Sequence, residues 1–165
     1  MPERQTIERA RRDKREGKAP TTQAGEFVRE EIEHVREGKH GVRSTKQAIA
    51  IGLSKARRAG VELPPPREGQ TAPETRRHAE RDYKAGHGRP KKKSAKRARA
   101  VTKALKREGR SAVSGRALSK QARTAAKRRG PTSRSVAAKK AVRTKGAAGR
   151  SAAARKAVRT RSRAR

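Results

Sequence analysis

The 165-residue sequence has no cysteine and no tryptophan, and its aromatic rings are Phe27 and Tyr83 alone. Without cysteine there is no disulfide and no zinc–thiolate site. Two rings give no platform on which successive bases could stack. No apolar run nears the roughly 18 residues that a membrane span needs, and none follows the first basic residues as a secretion signal would require. Acid is scarce as well: 15 Asp and Glu stand against 49 Lys and Arg, a net charge of +34. Hydrophobic residues, alanine included, make up 30% of the chain. Ordering a residue's backbone costs roughly 1–2 kcal/mol, which a chain so poor in large apolar side chains offsets over only part of its length. These absences argue against an enzyme with a deep pocket, a small-molecule substrate or a membrane partner. They predict a soluble cytoplasmic polycation whose partner is a polyanion.

What is present is unevenly spread. Residues 1–66 carry 15 basic and 10 acidic residues, and residues 67–84 carry 5 and 4. Residues 85–165 carry 29 basic residues and one acid, Glu108. Pro64, Pro65 and Pro66 mark the first boundary, because three prolines end a helix and stiffen the chain. Gly86-His87-Gly88-Arg89-Pro90 marks the second. The expected organisation is a small head at 1–66, a connecting helix and linker at 67–90, and a basic low-complexity tail at 91–165.

The expected fold class is mainly α, a helical hairpin or three-helix head followed by a tail that is disordered or becomes helical on binding. Residues 6–16 are good helix formers and stop at Gly17. In residues 22–37, Ala24, Phe27, Val28, Ile32 and Val35 fall on one side at helical spacing. Glu26, Glu30, Glu33 and Glu37 form a stripe opposite, read either as a solvated face or as a partner for the arginines of 6–16 or for the tail. Gly38 ends this helix. Ser44-Thr45-Lys46-Gln47 has capping-box spacing and starts a helix over 45–59, with Ile49, Leu53 and Ala56 as its stripe and Gly60 as its cap. The interior Gly52 costs on the order of 1 kcal/mol against alanine; close helix packing and a tolerated weakness both account for it. Ile7, Ala10, Val61 and Leu63 could close a minimal core. Such a core is marginal below about 70 residues, so self-association through the head is a further expectation.

The segment GKHGVRSTKQAIAIGLSKARRAGVELPPP, with TTQAGEFVREEIEHVRE before it, resembles a bacterial family carrying a short helical domain of unknown function. The resemblance covers about residues 1–66, with STKQAIAIGLSKARRAG as its core. It implies a helical head before a basic tail and brings no activity and no binding residues.

In the tail, 20 alanines accompany the 29 basic residues of 85–165. SVAAKKAVRTK (135–145) and SAAARKAVRTR (151–161) repeat sixteen residues apart. Gly109, Gly130, Gly146, Gly149, Pro90 and Pro131 divide the tail into short helices, marginal alone in water. On 94–108, Lys96, Arg99, Lys103, Lys106 and Arg107 share a face opposite Ala98, Val101 and Leu105. In composition the tail is similar to those of linker histones and bacterial linker-histone-like proteins, the run from Arg89 to Arg97 and the alanine-spaced basic pairs carrying the likeness. Those tails favour lysine, whereas this one has 17 Arg to 12 Lys. Arginine binds phosphate bidentately and enters narrow minor grooves.

The expected function is nonspecific DNA binding, as nucleoid-associated coating or compaction, with duplex DNA favoured over RNA. The expected phosphate contacts are Lys91, Lys92, Lys93, Lys96, Arg97, Arg99, Lys103, Lys106, Arg107, Arg110, Arg116, Lys120, Arg123, Lys127, Arg128, Arg129, Lys139, Lys140, Arg143, Lys145, Arg155, Lys156 and Arg159. If the helix at 45–59 acts as a helix-turn-helix reader, Thr45, Gln47, Lys46, Lys55, Arg57 and Arg58 add head contacts. An RNA- or ribosome-associated basic protein is one alternative. A protein-interaction or regulatory module with an electrostatic localising tail is another. No catalytic residue, cofactor or metal is expected: His34, His40, His78 and His87 lack metal-ligand spacing and read as surface histidines.

Overall fold

The computed structural model describes residues 2–88 and 94–163, apart from the side chains of 144, 145 and 163. Among these residues all regular structure is helical. Lys91, Lys92, Lys93 and the side chain of Lys145 therefore lie outside the described residues, as do Arg89 and Pro90.

Three helices follow the expected pattern: α1 (Arg4–Arg15), α2 (Pro20–Arg36) and α3 (Thr45–Arg58). Pro20 opens α2 at its first turn, where a missing N–H costs nothing. Ser44 Oγ accepts the Gln47 N–H at the start of α3, while Gln47 Oε1 takes the Arg43 N–H rather than that of Ser44. Gly38 and Gly60 follow α2 and α3 with φ of +79° and +84°, and Val61 folds back onto the last turn of α3 by donating to Ala56 O. Helices α1, α2 and α3 pack together as a three-helix head. One core cluster holds Ala10, Ala24, Phe27, Ala56, Val61 and Leu63, with Ile7 and Leu53 against it. A Cβ on Gly52 would lie 2.6 Å from Val28 Cα, so close approach of α2 and α3 is what keeps that glycine.

The compact unit is larger than residues 1–66: it spans Met1–Ser119, and Lys120–Arg165 form a second unit. The expected connecting helix is α4 (Pro73–His87), and it packs on α3. Ala79 is buried, Ser54 Oγ and Arg58 Nε both donate to Asp82 at 2.7 Å, and the Tyr83 hydroxyl donates to Glu62 at 2.8 Å. Further on, the chain after α5 (Ala95–Lys106) runs as a strap against the loop between α2 and α3. Gly41 N–H donates to Leu105 O and Val42 N–H to Gly109 O. The short 3-10 helix Ser111–Val113 delivers Val113, 1% exposed, into a second core cluster with Val35, Val42 and Ala48. Thr45 Oγ1 donates to Ala112 O, and the Arg36 guanidinium to Val113 O. The head's core is thus completed from residues that composition assigned to linker and tail. The boundaries at 66 and 90 miss this because α4 and the strap contribute single small residues, Ala79 and Val113, rather than an apolar run.

The strap depends on a close backbone approach. A Cβ on Gly41 would stand 1.8 Å from Glu108 O and 2.8 Å from Gly109 O, both backbone atoms without a soft escape. Gly41→Ala is therefore expected to lift the strap and destabilise the unit by about 1–3 kcal/mol. Hydrogen exchange checks this at the Val42 amide, which should lose protection; an amide as protected as in the wild type contradicts it.

The tail, expected to be disordered or to fold on binding, is mostly helical over its described residues, in α5, α6 (Gly115–Arg128) and α7 (Gly130–Arg163), with the strap between α5 and α6. Ala, Arg and Lys are strong helix formers, and between glycines the sequence offers no competing pattern. Helix α7 is broken at Gly146, with φ 62° and ψ −179°. The break places each of the two repeated blocks on its own helical half.

Candidate nucleic-acid interface

Past Glu108 the sequence contains 19 basic residues and no acid. Lys96, Arg97, Arg99, Lys103, Lys106, Arg107, Arg110 and Arg116, of the first unit, are exposed. Lys120, Arg123, Lys127, Arg128, Arg129, Lys139, Lys140, Arg143, Arg155, Lys156 and Arg159, of the second, are exposed as well. Neither α5 nor α6 contains a buried residue. Val101, Val136, Val142 and Val158 remain 46–65% exposed, so these helices have no apolar cover at those positions. Their charge faces solvent along their length.

The head distributes its charge differently, since nearly all of its 10 acids are held in ion pairs with part of its 15 bases. Arg9 Nε lies 2.7 Å from Glu26, Lys18 Nζ 2.6 Å from Asp13, and Arg58 Nε 2.7 Å from Asp82. Glu3 takes both His34 and Lys39, at 2.8 and 3.1 Å. Those two donors hold its carboxyl at about 2, well below the usual range.

Most of the expected head contacts have partners within the protein. Arg57 is buried, with its guanidinium donating to the carbonyls of Leu63 and Pro64; it clasps the chain leaving α3. Burial pushes its pKa down. Lys55 is held by Glu30 and Glu31, and Arg58 by Asp82. Thr45 and Gln47 are spent on the strap and the cap. Only Lys46 of that set is exposed and outside an ion pair. Of these six residues, Lys46 and Arg58 are the exposed ones, and Arg58 is held by Asp82. The sequence could not show this, because buried and exposed arginines look alike until the partner carbonyls are placed.

The glutamate stripe of α2 is likewise not a single solvated face. Glu33 and Glu37 are exposed and Glu26 pairs with Arg9, but Glu30 is buried. Burial raises the Glu30 carboxyl, yet the Glu3 N–H, Thr6 and Lys55 bring it below its ordinary value. Its neighbour Glu31, absent from the stripe, is wholly buried. The structure also gathers His34 and His40 around Glu31, with one ligand-type atom from each within 4.8 Å of the others. The signal for this was in the sequence: Glu31 and His34 stand three apart on one helix face, and His40 follows just past the helix end.

Among the described residues, no helix is long and apolar enough to cross a membrane. No curated protein and no solved structure matches the chain. Residues 4–67, which hold α1 to α3 and the return to Pro64, match the family model described as a family of unknown function (DUF6496), the short helical domain that the head resembles.

Proposed function

We propose that the protein binds nucleic acid through phosphate contacts along its basic C-terminal half, with duplex DNA favoured over RNA, as a cytoplasmic nucleoid-associated coating or compacting protein. The observation that carries this is the stretch 120–165, with 17 basic residues and no acid, whose described side chains are nearly all exposed on helices. A purely solvated charge run would be mixed in sign, as the head is. Binding replaces condensed counterions on the phosphates, so affinity is electrostatic and base preference weak. Like charges crowd these helices and oppose them in the free chain. Phosphates remove that repulsion, so binding should favour the helical form. Two repeated blocks on separate helical halves can engage two duplex segments, each raising the effective concentration of the other. The three-helix head and its strap are then an anchoring body, free to dock or associate.

A salt series with full-length protein and duplex DNA tests this reading. With roughly 8–12 phosphates neutralised, log K should fall against log salt with a slope of about −7 to −11. Far-UV circular dichroism in the same titration should show helix gained on binding. A slope shallower than about −3, or tighter binding to folded RNA at equal salt, would reject the duplex-DNA assignment.

A further inference from the structure

We propose that Glu31, His34 and His40 form a binding site for a divalent transition-metal ion, with Zn²⁺ as the best-fitting ion. The site is independent of the DNA-binding reading.

Glu31 is 0% exposed, and neither of its carboxylate oxygens receives a hydrogen bond. A buried carboxylate in that condition is costly unless something else occupies its lone pairs. Lys55 Nζ lies 2.7 Å from Oε2 without hydrogen-bond alignment and answers that oxygen's charge. Oε1 faces His40, whose Nε2 is 3.3 Å away. That is long for a charged N–H···O contact. It fits the separation of two ligands on a tetrahedral zinc, about 3.4 Å for bonds of about 2.1 Å.

The His40 imidazole is oriented as a ligand is. His40 Nδ1 lies 3.1 Å from Gly41 O. Donation there leaves Nε2 as the lone-pair nitrogen of the neutral ring, on the Glu31 side. His34 Nε2 is 2.8 Å from Glu3 Oε1, a carboxylate partner of the kind that fixes ligating histidines. In the neutral ring this leaves Nδ1 free. Glu3, Glu30 and Glu31 outweigh Lys39 and Lys55 by one negative charge, which favours a dication. Two imidazoles and one carboxylate suit zinc and its neighbours, whereas magnesium and calcium demand oxygen ligands. The side chains of His34 and His40 are 12% and 16% exposed, so a water can complete the tetrahedron. Bound metal would tie the loop after α2 to that helix, and this loop is the one that receives the strap through Gly41 and Val42.

The test uses full-length protein without a histidine tag, stripped with chelator and titrated with Zn²⁺ and with Co²⁺. One ion per chain should bind, and Co²⁺ should give the intense visible bands of a tetrahedral site, bleached by Zn²⁺. On Zn²⁺ addition the ring resonances of His34 and His40 should shift in the wild-type protein, and those of His78 and His87 should not. His40→Ala and Glu31→Gln should each weaken binding about a hundredfold, and His78→Ala should leave it unchanged. The proposal is overturned by shifts at His78 or His87 instead, by octahedral cobalt spectra, or by no saturation at micromolar Zn²⁺. The wild-type resonances decide the matter even if a variant fails to fold.

Discussion

A chain ending at Ser119 is expected to bind duplex DNA roughly a thousandfold more weakly than the full-length protein at about 0.1 M salt. It should also show a salt slope about half as steep. The deletion removes 17 basic residues and no acid, half of the net charge of +34. The loss is exponential in phosphates neutralised, since each contributes nearly one unit to the slope. Dropping four or five simultaneous contacts costs about four decades at this salt; a thousandfold allows for α5 and Arg110 taking over some contacts.

The cut belongs after 119 rather than 66. Ending at 66 would remove Ala79, Asp82 and Val113, expose Val35, Val42 and Ala48, and strand Ser54 and Arg58. Weak binding by that fragment would then report unfolding. The shorter chain ending at 119 retains both core clusters, so its head should melt as in the full-length protein. Truncation that leaves both affinity and slope unchanged would place binding in the first unit and reverse the assignment. A further comparison separates charge from geometry. Replacing the arginines of 120–165 by lysine keeps the number of charges, so the slope should persist. Affinity should fall if bidentate phosphate contacts contribute.

Much of the head was legible from local pattern. The bounds of α2 and α3, their caps and the Phe27 face each rest on residues close in sequence. The rest depends on partners distant in the chain. Val113 sits in a segment whose composition is that of the tail, and its burial follows from Gly41 admitting the Glu108 backbone. Arg57 reads as a solvent-facing cation until Leu63 and Pro64 turn their carbonyls toward it. Helical angle alone puts Glu30 on a polar face, which is right for an isolated helix. The face is covered by the N-terminus of α1 and by Lys55 of α3. For the basic half, composition shows the charge, and the glycines and prolines show where helices break. Neither says how much helix persists without phosphate.

Lys55→Met is expected to destabilise the head by about 3–5 kcal/mol, the effect of breaking a buried ion pair from one side. The ammonium stands 3.2 Å from Glu30 Oε1 and 2.7 Å from Glu31 Oε2. These carboxylates are 1% and 0% exposed. Glu30 would keep the Glu3 N–H at 3.0 Å. Glu31 would keep only His40, and its charge would remain in a nearly dry interior. Methionine retains the apolar stem of lysine, so the loss reports the charge rather than a cavity. The double variant Lys55→Met/Glu31→Met should recover most of the stability, because a buried pair replaced by apolar side chains of similar volume is often neutral or better. Urea unfolding in the presence of chelator measures both without a contribution from bound metal. A single variant that costs less than about 1 kcal/mol would mean that water reaches Glu31. The same carboxylate would then be no better a metal ligand than any surface acid. The energetics of Lys55 and the chemistry assigned to Glu31 both depend on that carboxylate being dry.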